Sequence, residues 1–73
     1  MTDRMKKYLV IQKKAGIAFF EENDTEYEQL SDECIKLRNE MSLEEVENMK
    51  AHVTAREFYY SFKPLIEVKK GKV

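Results

Sequence analysis

The sequence predicts an α+β fold. The expected order is an N-terminal β-hairpin, two consecutive α-helices and one or more C-terminal strands, in a single domain over residues 1–73. Three observations carry that expectation. Two strand-length apolar runs flank the short segment Lys13–Gly16; a helical stripe with its own start signal occupies the middle; and aromatic residues alternate with polar ones near the C-terminal end.

The first element rests on Gly16. "KYLVIQ" and "IAFFEE" are each long enough for a strand, and a glycine closing the segment between them suits a hairpin loop that needs a positive φ. Strands are therefore expected over Lys7–Gln12 and Ile17–Glu22. As a helix, the same region places Met5, Tyr8, Gln12, Ala15 and Phe19 on one face, a stripe interrupted by glutamine. Gly16 and the β-branched pair Val10–Ile11 also weaken a helix. The competing reading is an all-α three-helix domain.

The middle is plainer. Tyr27, Leu30, Cys34, Leu37 and Met41 recur at spacings of three and four, one face of an α-helix. Thr25 and Glu28 form a T-x-x-E capping signal, and acids precede Lys36 and Arg38 as the helix dipole prefers. The spacing predicts a helix over Thr25–Met41. Ser42 and Glu45 repeat the signal at once, predicting a second helix over Leu43–Ala55. Beyond it the apolar pattern changes face. Phe58, Tyr60 and Phe62 alternate with Glu57, Tyr59 and Ser61, predicting a strand over Phe58–Phe62, with Pro64 at an edge, bulge or turn. The tail, about residues 70–73, is expected to fray.

Composition narrows the chemistry. Cys34 is the only cysteine, which rules out an internal disulfide and fits a reducing compartment. With His52 the only histidine, four soft or imidazole ligands for a structural zinc cannot be assembled. The apolar run Tyr8–Ile11 is too short for a signal core or a membrane span. The expectation is a cytoplasmic protein without membrane contact. A chain of 73 residues buries only about 60% of its unfolded surface, so self-association is expected to add stability. The expected homodimer contact is the C-terminal strand or the helix face around Ala51, Ala55 and Phe58.

No constellation for catalysis is legible. Cys34 lies inside an apolar stripe with Asp32 and Glu33 beside it, a setting that disfavours a nucleophilic thiolate. Two glycines cannot build a phosphate-binding loop, and the cluster Glu21, Glu22, Asp24 and Glu26 lacks the EF-hand pattern. Neither an enzyme, a cofactor nor a metal is expected.

Charge is segregated instead. Residues 1–20 carry five basic residues against Asp3, a net +4. Residues 21–50 carry eleven acids against three bases, a net −8, and residues 51–73 carry five bases against two acids, a net +3. The expected function is a small protein-binding or regulatory module acting through an acidic helical surface, with Glu33, Glu40, Glu44 and Glu47 as contacts. The alternative is a single-stranded nucleic-acid binder that uses Lys6, Lys13, Tyr59 and Lys63 on a basic, aromatic sheet face.

Overall fold

The computed structural model describes residues 1–71. It is all-α: four helices, with no strand among the described residues. α1 spans Asp3–Phe20, α2 spans Asp24–Glu40, and α3 spans Leu43–Asn48 with a 3₁₀ turn, Met49–Ala51, appended. α4 consists of three abutting pieces: an α turn at Ala55–Glu57, a π turn at Phe58–Phe62 and an α segment at Lys63–Lys69. Two compact units result, one of Met1–Glu40 and one beginning at Met41.

In the first unit, α1 and α2 form a helical hairpin. The α+β expectation fails first here, because both proposed strands, Lys7–Gln12 and Ile17–Glu22, fall on or just past α1. Burial explains why. Met5, Tyr8, Ala15 and Ala18 are buried at helical spacing and meet Cys34 and Leu37, buried on α2. Gln12 is only half-buried, so the glutamine does not interrupt the packed face. The stripe ends on Ala18 rather than Phe19, whose ring is exposed. Gly16 is no corner. It sits on the solvent side of α1 with nothing within 4 Å of where a Cβ would stand. Its backbone entropy cost of about 1 kcal/mol is small beside the burial along this helix. Inside the hairpin, Arg38 Nη1 donates to the Tyr8 hydroxyl at 3.2 Å, and its guanidinium lies 5.9 Å from the Tyr8 ring centroid. Lys7 Nζ lies 3.6 Å from Glu33 Oε1.

α1 ends in a Schellman turn. The N–H of Glu22 donates to the Phe19 carbonyl at 3.2 Å and that of Asn23 to the Ala18 carbonyl at 3.0 Å, with Glu22 left-handed at φ 57°. α2 then starts almost where the sequence places it, but Asn23 rather than Thr25 caps it. Asn23 Oδ1 accepts from the Glu26 N–H at 3.3 Å, and its Nδ2 donates to Glu26 Oε2 at 2.9 Å.

In the second unit, the expected Ser42–Glu45 capping box is present in both directions. Ser42 Oγ accepts from the Glu45 N–H at 3.1 Å, and Glu45 Oε1 accepts from the Ser42 N–H at 3.0 Å. α3 is shorter than Leu43–Ala55 because a new cap intervenes. Thr54 Oγ1 accepts from the Glu57 N–H at 3.1 Å and opens α4. The break at 52–54 resets the helical phase, so the change of apolar face marks two helices rather than a helix and a strand. Val46, Met49 and Phe62 are fully buried.

The expected strand Phe58–Phe62 is the π turn. Pro64, read as an edge or bulge residue, lies at the start of the following α segment. Proline has no N–H to donate, and its ring collides with the carbonyl four residues back in a regular α-helix. The wider π turn opens the ladder directly before it, and Phe62 takes the distortion with φ at −110°. Of the tail expected to fray, Lys70 and Gly71 close α4, Gly71 at φ 72° donating to the Val68 carbonyl at 3.0 Å. Residues 72 and 73 lie outside the described residues.

Two substitutions test this fold. Gly16→Ala is expected to stabilise the protein by about 0.5–1 kcal/mol, because alanine suits an exposed helix interior. A positive-φ hairpin corner would respond with the opposite sign. Glu22→Gly is expected to stabilise by about 1 kcal/mol by relieving a left-handed backbone. Urea denaturation followed by circular dichroism measures both. A destabilised Glu22→Gly variant would remove the Schellman turn from this account.

Candidate functional site

The tip of the α1–α2 hairpin departs from local preference at four consecutive positions, Phe19 to Glu22. Phe19 is 64% exposed and Phe20 86% exposed, at the end of a helix whose buried face uses Ala15 and Ala18 instead. Glu21 and Glu22 put two carboxylates at the negative end of the α1 dipole, where lysine or arginine is favoured. Glu22 also holds the left-handed conformation that glycine adopts at little cost. None of these choices is explained by the stability of α1.

The rings at the tip are organised. Phe19 lies edge-on to Phe20, centroids 6.2 Å apart at 81°, and tilts against Tyr27 of α2 at 5.5 Å. Glu21, Glu22, Asp24, Glu26 and Glu28 are all exposed near these rings in sequence. Asp24 and Glu26 are accounted for by the positive end of α2, and Glu26 also by its bonds with Asn23. The result is an exposed aromatic cluster bordered by acid. The sequence contained the signal, since "AFFEEND" pairs two phenylalanines with a run of acids, but reading the segment as a strand turned one ring inward.

The four acids proposed as contacts are divided between the two units. Glu33 and Glu40 share a face of α2 in the first unit, while Glu44 and Glu47 lie on α3 in the second. Glu33 pairs with Lys7, and Glu47 Oε2 lies 3.8 Å from Lys70 Nζ. Segregated charge is thus neutralised in part within each unit. The nucleic-acid set divides likewise. Lys6 and Lys13 lie seven residues apart on the exposed face of α1, whereas Tyr59 and Lys63 meet on α4, the Lys63 ammonium 4.9 Å from the Tyr59 ring centroid. The sheet face that was to carry all four is absent among the described residues, and so is the C-terminal strand expected at a dimer contact.

Cys34 is buried and takes part in no disulfide, and His52 is exposed in the turn after α3. Among the described residues no group of three or more His, Cys, Asp or Glu side chains could hold a metal ion. No helix among them is long and apolar enough to cross a membrane. No protein-family model, curated protein or solved structure matches the chain.

The contrast between tip and core can be measured. Phe20→Ser is expected to change unfolding free energy by less than about 0.5 kcal/mol, as surface substitutions do. Phe62→Ala, at a fully buried ring, is expected to cost about 3–5 kcal/mol. Equal losses in denaturant titrations would mean that Phe20 is a packing residue.

Proposed function

We propose that this chain is a small non-enzymatic protein-binding module whose contact point is the acid-bordered aromatic tip of the α1–α2 hairpin. The observation that carries the reading is the pair Phe19–Phe20, exposed side by side at the end of α1. Aromatic side chains bring large contact area at low entropic cost, and interface energy concentrates in such residues. The neighbouring carboxylates favour a partner with an apolar pocket and a basic rim, because complementary charge steers encounter and excludes acidic competitors. Glu33, Glu40, Glu44 and Glu47 then contribute to the general acidic field rather than to a contact patch. The single buried thiol supports a reducing, cytoplasmic setting.

Affinity capture with chemical cross-linking tests the reading. The native chain is expected to retain one stoichiometric protein, and Phe20→Ser to weaken that complex about 30-fold, the effect of losing a hot-spot aromatic. The double variant Glu44→Lys, Glu47→Lys should retain it. A complex indifferent to Phe20→Ser but lost on charge reversal would move the contact to α3. Tight binding of single-stranded oligonucleotides, abolished by Tyr59→Ala, would replace the reading with the nucleic-acid alternative.

A further inference from the structure

In the second unit, α3 and α4 border an open groove of about 580 Å³. That volume lies in the range of small-molecule sites, which combine an apolar floor with a few polar groups. Ala55, Phe58, Tyr59 and Ile66 supply the apolar lining. Phe58 is held from beneath, its ring stacked 6.1 Å from that of the fully buried Phe62. Tyr59 is 56% exposed, a large ring kept at the mouth of the groove. Both Phe58 and Tyr59 stand on the π turn, a local geometry that recurs at functional sites.

The charges around the groove are unequal. Three lysines, Lys50, Lys63 and Lys70, face two acids, Glu47 and Glu67, for a net +1. The 3.8 Å pair between Lys70 and Glu47 neutralises one of each. Lys50 and Lys63 then outweigh Glu67. Lys63 leans over the Tyr59 face, which holds its ammonium beside the aromatic lining. A cation fixed against an exposed ring matches a ligand that has both a flat apolar portion and a negative group.

We propose that this groove binds a small amphipathic anion, a planar ring system bearing a carboxylate, sulfonate or phosphate. Its ring packs against Phe58, Tyr59 and Ile66, and its anionic group meets Lys63 and Lys50. The site is independent of the hairpin tip and makes no use of Phe19 or Phe20.

A matched pair of probes tests this: 2-naphthoate and its neutral analogue 2-naphthamide, titrated into the full chain and followed by ¹H–¹⁵N chemical shifts. Naphthoate is expected to bind about twofold to fivefold more tightly than the amide, the gain from one half-solvated ion pair. Its largest shifts should fall on residues 50 and 55–66. Lys63→Glu should erase the preference for the anion, Lys63→Gln should reduce it, and Tyr59→Ala should weaken both probes. Both positions are exposed, so the three variants are expected to keep the wild-type circular dichroism. Equal affinity for the two probes, indifference to Lys63→Glu, or shifts centred on residues 19–27 would each overturn the assignment. A twelve-nucleotide single strand binding more tightly than naphthoate, with a salt slope of several phosphates, would overturn it in favour of a nucleic-acid chain.

Discussion

A side-chain oxygen that accepts the amide N–H three residues further on opens each of the four helices: Thr2 to Met5, Asn23 to Glu26, Ser42 to Glu45 and Thr54 to Glu57. Each such bond is worth about 1 kcal/mol by itself. Their larger consequence is geometric. Within a helix, sequence spacing at about 100° per residue sets which residues share a face, and the caps set where that spacing begins and breaks. With the caps at 2 and 23, Met5, Tyr8, Ala15 and Ala18 line up on α1 and Cys34 and Leu37 on α2. With the caps at 42 and 54, Val46, Met49 and Phe62 all become buried. So thin a core depends on boundaries that hold the phase.

That dependence explains what was legible in the sequence. The body of α2 and the start of α3 were read correctly, because a 3–4 apolar stripe and an S-x-x-E box agree there. The third box, Thr54–Glu57, uses the same pattern. The aromatic alternation after it matches a strand equally well, and alternation alone cannot separate a strand from a short helix with a π turn. At Gly16 magnitude decides: a glycine penalty of about 1 kcal/mol is outweighed by a buried face of several side chains. The exposed tip is legible only in part: "AFFEEND" signals rings beside acids, but sequence patterns place large rings inside, and Phe19 and Phe20 are exposed.

The charge blocks illustrate how sequence and structure divide the explanation. The basic α1 and acidic α2 meet in one hairpin, where Lys7 pairs with Glu33, and the acidic α3 and basic end of α4 share the other unit, where Lys70 pairs with Glu47. Both pairs are partly exposed, and each is worth little individually. Their joint effect is to soften the −8 of the middle segment where helices pack. The carboxylates at the hairpin tip sit beyond α1, away from its lysine-rich start, and the acidic character persists there. Charge compensated in the packed regions and left at an exposed aromatic edge is what a steering surface requires.

Pro64 connects the second unit's backbone to its groove. Without a proline, the segment "EFYYSFKALIEV" would have no reason to leave the α ladder, and its aromatics would follow a regular 100° rotation. The ring of Pro64 forbids the hydrogen bond and the spacing that such a helix needs. The chain answers with five residues of wider turn, Phe58–Phe62, before regular geometry returns. That turn sends Phe62 into the core, stacks Phe58 on it and leaves Tyr59 and Tyr60 exposed, their rings edge to face at 5.3 Å. The same turn therefore both anchors α4 and presents the ring on which Lys63 rests. A groove built this way is specified by backbone chemistry at one residue as much as by the side chains that line it.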